Sequence, residues 1–214
     1  YISLGIKSAK ADGDYFQYVP LKIKHPPNVN LIVGEKNFDY YRDFISVSNG
    51  ASKKIINDSY IYVGYGIKDI NHDDYKDIDV NGKLVVAIGG EPKDSNGNYI
   101  ISGTRKNSKW SNKRQSLSAK QNLAKEMGAA AFILVDNTLF EMYSNYYKKK
   151  DKSEGENDLS LNVNVKPFYS FLSGDRLGNS LTNSHNGIFI KNIIIEFEST
   201  SEPVVSKNVV ALIP

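Results

Sequence analysis

Residue types able to do hydrolytic chemistry are few in this chain and poorly grouped. His72-Asp73-Asp74 has a His-x-Asp spacing, an imidazole and a carboxylate that could share a metal ion. A two-metal hydrolytic site asks for more: a bridging carboxylate, a second histidine and a general-base carboxylate, all converging. The other histidines are His25, beside Pro26-Pro27, and His185, inside Thr182-Asn183-Ser184-His185-Asn186-Gly187, and both read as loop residues. Three histidines on unrelated loops make a poor ligand set. A serine nucleophile fares no better. No Gly-x-Ser-x-Gly elbow occurs, and Ser173-Gly174-Asp175 reads as the turn at a strand end, with no histidine base to serve it. Gly89-Gly90-Glu91-Pro92 lacks the Lys-Ser/Thr of a phosphate loop. With no cysteine, thiolate ligands, thiol nucleophiles and disulfides are excluded.

Charge gives one further signal. Residues 95–125 hold Arg105, Lys106, Lys109, Lys113, Arg114, Lys120 and Lys125, with Trp110 among them and no acidic residue. Through Arg105, Lys109, Trp110 and Arg114 such a stretch could meet a peptide carboxylate, an anionic polymer or a neighbouring domain. The plainer reading is a solvated loop pinned by Trp110. Nucleic acid is not expected, because a stacking groove needs several interleaved aromatics. Over 214 residues the net charge is only +3, and 23 lysines outnumber 4 arginines, which favours a solvated surface over dedicated phosphate recognition. A composition of 40% hydrophobic and 24% charged residues is that of a folded globule. The longest apolar run, Ala129 to Val135, falls far short of the ~18 residues of a membrane helix.

These groups need elements to hold them. Tyr15 to Ile23 is rich in β-formers and is broken by His25-Pro26-Pro27-Asn28. Val29–Val33 and Phe38–Tyr41 read as hairpin arms around Gly34-Glu35-Lys36-Asn37, and Asn49-Gly50 as another turn. Ser59 to Ile67 reads as a strand ending in a glycine-punctuated stretch. Leu84–Ile88 and Ala129–Val135 are continuous apolar runs, as expected of strands buried on both faces. Between them Leu117, Gln121, Ala124 and Ala119, Leu123, Met127 step by three and four, which predicts a helix over 117–127 with Gly128 at C′. Strand, helix and strand form a βαβ crossover whose long connection implies a hairpin near Asn96-Gly97-Asn98. Residues 144–158, with Tyr146 and Tyr147, read as a mobile polar loop. Pro167–Leu172, Ile188–Phe197 (bulged at Lys191-Asn192) and Asn208–Ile213 read as further strands. The fold class is α+β and rich in β-structure.

Several of these groups resemble a known family. Val63-Gly64-Tyr65-Gly66-Ile67, Asp73-Asp74-Tyr75 and Ile78-Asp79-Val80-Asn81-Gly82-Lys83-Leu84-Val85-Val86 together resemble the start of a protease-associated domain. Lys120 to Val135, centred on Lys125-Glu126-Met127-Gly128-Ala129-Ala130-Ala131, is similar to that domain's helix and glycine-alanine turn. Pro167 to Ser173 resembles its later strand. Ser206 to Pro214 is similar to the junction leading back into a bacterial co-catalytic two-zinc aminopeptidase, and Leu4-Gly5-Ile6 with Tyr15–Leu21 to the segment leading toward the insertion. The resemblance spans nearly the whole chain, in the family's order.

It implies a swivelling β/β/α domain over 55–214, led by extended strands over 1–54 and inserted in an exported peptidase to which it is covalently linked. Both ends, Tyr1 and Pro214, then read as cuts. No catalytic or metal-binding residue is implied here. Zinc would reside in the peptidase part, and peptides are the molecules the domain could meet. Gly64, Gly66, Asp74, Tyr75, Gly82, Lys83 and Gly128 become structural, the glycines allowing turns or close approach and the aspartates bonding local backbone. The polar loop at 144–158 departs from the family pattern. The family's base sits in a Glu-Glu pair, and none exists in this sequence.

Two other readings compete with this accessory module. A free-standing binder using Arg105–Arg114 would lose affinity steeply with salt. A reduced metal-dependent hydrolase would need His72 and Asp74. Zinc titration and peptide hydrolysis on a His72→Ala/Asp74→Ala variant test the latter, and activity unchanged by the double substitution removes it.

Overall fold

Short apolar runs bounded by glycines and Asx turns become strands along most of the chain. The computed structural model describes residues 2–48, 50–151, 158–163 and 167–212. It begins with β1 (Lys7–Ser8), β2 (Phe16–Lys24), β3 (Asn28–Val33), β4 (Lys36–Phe38) and β5 (Phe44–Ser46). The long β6 (Lys53–Tyr62) precedes a small hairpin of β7 (Lys68–Asp69) and β8 (His72–Asp73), then β9 (Leu84–Ile88). Next come α1 (Ser116–Glu126), β10 (Ala131–Val135), α2 (Asn137–Lys150) and β11 (Asp158–Leu161). The chain ends with β12 (Tyr169–Ser173), α3 (Asp175–Leu181), β13 (Gly187–Glu198), β14 (Ser201–Val209) and β15 (Ala211–Leu212). The mixture is α+β and β-rich, as the pattern implies.

The chain divides into two compact units, one of residues 27–154 and 166–198, the other of 1–26, 155–165 and 199–214. A boundary at 54/55 is therefore corrected: it would cut β6 near its start, and β3 already pairs with β13 in the larger unit. That larger unit is built on an eight-stranded sheet in the order β4-β3-β13-β6-β9-β10-β12-β5. Its centre, β6-β9-β10-β12, is parallel, and β13 and β5 pair antiparallel at either side. Alternation along the strands separates two cores. Leu84, Val86, Ala131, Ile133 and Phe171 join Leu177 and Leu181 of α3 on one face. Val85, Ala87, Phe132, Leu134 and Leu172 join Ala124 of α1 and Leu139 and Phe140 of α2 on the other. The bulge stands where expected, with register slipping between Ile190 and Ile193 of β13 against β6.

Other expectations need revision. Residues 144–150, expected in a loop, complete α2. Asp136 is extended and accepts the Leu139 N–H at 3.0 Å, an N-cap, and Lys148, Lys149 and Lys150 fill the last turn where the helix dipole favours cations. Leu139, Phe140 and Ser144 are buried, so the helical period was present beneath the polar composition. Residues 152–157, the rest of that expected loop, lie outside the described residues, as do Asn49 of the Asn49-Gly50 turn and Pro214. Ser173-Gly174-Asp175 opens α3, and the last expected strand starts earlier, as β14, and breaks at Val210 before β15.

The smaller unit holds a three-stranded antiparallel sheet, β11-β2-β14, and the pair β1-β15. None of its described side chains is buried.

Two glycines separate strain from crowding. Gly66 has φ +65°, and an added Cβ would lie 2.8 Å from the Cβ of buried Ala87. Gly82 has φ +69° with nothing within 4 Å. Gly82→Ala should cost about 1 kcal/mol and Gly66→Ala about 2–4 kcal/mol, read from urea midpoints.

Candidate functional site

The loops after β6 and β9 meet one side chain of α1. Ser116, Lys120 and Ala124, spaced four apart, form the buried side of that helix, and Lys120 is 0% exposed. Its Nζ donates to the carbonyls of Tyr65 at 2.6 Å, Gly90 at 2.7 Å and Ile88 at 2.8 Å, one proton to each. Burial pulls its pKa down to about 8, while Asp74, Asp136 and Glu91 pull it back up. Lys120 is thus no part of the solvated basic surface. Its place midway between Ser116 and Ala124, two small residues on one helical stripe, is the signal in the sequence that could have revealed it.

The carboxylates around this loop cluster are occupied with structural bonds. Asp74, 7% exposed, accepts from the Ile67 N–H at 3.0 Å and lies 2.9 Å from His72 Nε2. Glu91, also buried, accepts from Ser108 N–H at 2.7 Å, Ser108 Oγ at 2.8 Å and Ser111 Oγ at 2.6 Å. Asp69 accepts from Trp110 Nε1 at 2.9 Å. Trp110 is 3% exposed, so the tryptophan of the basic stretch is a strut, with the Lys109 ammonium 4.6 Å from its ring centroid. Arg105, Lys109 and Arg114 are exposed.

The remaining motif residues shape turns. Gly64 and Gly66 both have positive φ, and Ile88 N–H reaches the Gly64 carbonyl at 2.8 Å. Tyr75 is buried without a partner for its hydroxyl, and burial pushes its pKa up. Gly82 N–H donates to Gly128 O at 2.8 Å, and the Lys83 carbonyl accepts from Ala130 N–H at 2.9 Å, which ties the start of β9 to the end of α1. Gly128 at φ +88° ends α1.

The histidines are not brought together. His25 pairs with Glu202 at 3.4 Å, and His185 lies 5.3 Å from the Phe189 ring. Among the described residues no group of three or more His, Asp or Glu could hold a metal ion. Ser173 is fully buried and its hydroxyl donates to the Gly174 carbonyl. Gly89 is hemmed in by Asp136, a reason for glycine there that has nothing to do with phosphate.

No family model matches the sequence, and no curated protein does. Among solved structures, the chain matches at low similarity an aminopeptidase from Aneurinibacillus sp. strain AM-1, with 15% identity over 92% of this chain and 37% of that one, at a TM-score of 0.42. A zinc aminopeptidase from Bacillus subtilis gives 12% identity over 89% and 36%, at a TM-score of 0.41. A peptidase M28 precursor from Shewanella amazonensis SB2B gives 13% over 98% and 42%, at 0.38. The chain spans well under half the length of each. Among the described residues no helix is long and apolar enough to cross a membrane.

Lys120→Met would take the shared donor from three backbone carbonyls and should cost roughly 2–4 kcal/mol. The folded protein holds the Lys120 proton less tightly than the unfolded chain, whose value is 10.5. The unfolded state therefore binds more protons between pH 8 and 10.5, and this group's contribution to stability rises with pH across that window. Tyrosines with raised pKa oppose it there, so the quantity to follow is the difference in urea stability between wild type and Lys120→Met.

Proposed function

We propose that the chain is a non-catalytic protease-associated module of an exported two-zinc aminopeptidase. It would govern which peptides reach the peptidase cleft, by steric cover and by recognition through its loops. The zinc and the catalytic carboxylates would belong to the peptidase part, covalently linked to this one. The motif order from Val63 to Ser173 supports the reading, together with a parallel βαβ centre that has a turn-forming role for each motif glycine.

The observation that carries it is the state of the smaller unit. Val19, Leu21 and Ile23 of β2 share one sheet face with Val204 of β14 and with Leu159 and Leu161 of β11, by direct pairing. None of these six is buried, and Leu159 and Leu161 are 55% and 56% exposed. A three-stranded sheet that hides no apolar side chain lacks the burial needed to stand alone. It suits a docking platform whose other half is a larger domain. The larger unit, by contrast, has two cores of its own.

The insertion can be removed where β2 and β14 are already paired, with Lys24 opposite Ser201. Replacing residues 27–198 of the full-length gene product by a short Asn-Gly turn also removes edge strand β11. The full-length product should release N-terminal residues from aminoacyl p-nitroanilides in a zinc-dependent manner. The excised version should keep kcat/KM on these small amides within about tenfold but change its preference between short and long peptides by more than that. A full-length product without metal-dependent aminopeptidase activity overturns the reading.

A further inference from the structure

The exposed side of α1 and the Trp110 loop border an open surface cleft of ≈ 440 Å³. Gln115, Ser118 and Asn122 line it from the helix, at steps of three and four. Lys68, from the β7–β8 hairpin, and Lys109 line it too, while Glu126 is its one acidic residue. The helical wall from Gln115 to Glu126 is ~16 Å long, the span of about five extended residues.

The walls are built independently of any ligand. Trp110 is fixed to Asp69 of the β7–β8 hairpin, and Glu91 holds Ser108 and Ser111 on either side of it. Asn71 Nδ2 reaches the Ile101 carbonyl at 3.4 Å, a second tie between hairpin and loop. A cleft held this way needs little ordering when a ligand arrives.

Its chemistry favours an anion. Among the described residues neither Lys68 nor Lys109 has a carboxylate within ion-pair distance. The first turn of α1 carries no acidic residue, and Gln115 makes no side-chain capping bond. Lysine point charges beside amide and hydroxyl groups match a carboxylate on a main chain better than a phosphate, for which arginine forks are the stronger partner. Single-stranded nucleic acid would need exposed stacking rings, and Trp110 is buried.

We propose that this cleft binds an extended peptide of about four or five residues. Its carboxylate lies between Lys68 and Lys109, and its main chain bonds the amides of Gln115 and Asn122 and donates to Ser118 Oγ, whose own proton goes to the Gln115 carbonyl at 3.0 Å. The choice of a peptide rests on the accessory-module reading; the site itself belongs to this chain alone. The carboxylate can be a C-terminus or an acidic side chain.

The test is titration of the 214-residue chain, followed by amide NMR shifts, with three probes. These are tetra-alanine with a free C-terminus, the same peptide amidated, and an acetylated, amidated version containing one Asp. The expected result is saturable shifts confined to residues near 68 and 109–126, with at least one carboxylate-bearing probe binding and the neutral amide not. Free-acid binding alone assigns a C-terminus; binding of the Asp peptide assigns a side chain. Lys68→Gln/Lys109→Gln, checked for an unchanged urea midpoint, should weaken binding about tenfold or more and flatten its salt dependence. Absence of saturable shifts up to about 10 mM probe, neutral amide binding as tightly as the acids, or indifference to the double substitution overturns the site. None of those results touches the metal-dependent activity of the full-length product, so the two readings fail separately.

Discussion

The Lys120 ammonium occupies a position where a helix normally presents an apolar side chain to a sheet. Taking a cation out of water costs several kcal/mol unless every proton finds an acceptor, and here each of the three protons does. The acceptors are backbone carbonyls at the ends of two neighbouring parallel strands, where a sheet runs out of partners for its C=O groups. One side chain thus ties together the segments that follow β6 and β9 and fixes the rotation of α1. Rotating the helix by one residue would bury Ala119 or Gln121 at this point and leave the carbonyls unpaired. The outward face of α1, and with it the cleft beside Trp110, follows from that fixed rotation.

The same economy runs through the neighbouring loops. Asp74 holds its own turn through Ile67 and His72, Glu91 organises the serines on either side of Trp110, and Asp69 takes the indole proton. In these loops the carboxylates and His72 are spent on backbone and on neighbouring side chains. His72 and Asp74, which the spacing alone could offer to a metal, already satisfy each other at 2.9 Å.

The two units differ in what they bury. In the larger one a sheet with helices on both faces supplies two apolar cores. In the smaller one the strands pair through their backbones but none of the described side chains is buried, so interstrand hydrogen bonds are present and hydrophobic burial is not. Backbone pairing contributes little net stability against water, whereas burial is the dominant favourable term. That imbalance is the physical reason to look for a partner against the smaller sheet.

Local pattern alone determined a good deal. The runs Leu84–Ile88 and Ala129–Val135 had to be buried strands, the three-and-four spacing from Leu117 to Met127 had to be helical, and the bulge at Lys191-Asn192 followed from a broken alternation. Composition hid α2, because its solvent face is so polar that Leu139, Phe140 and Ser144 were its only buried positions. The assignment of β3 to the main sheet could not be read locally either, since pairing of Leu31 with Ile195 joins residues far apart in sequence. Lys120 lay in one basic stretch with Arg105, Lys109 and Arg114, which are exposed. The stripe of Ser116, Lys120 and Ala124 marks the side that faces inward, but only the tertiary structure showed what Lys120 meets there, because burial of a charge depends on where acceptors from other strands converge.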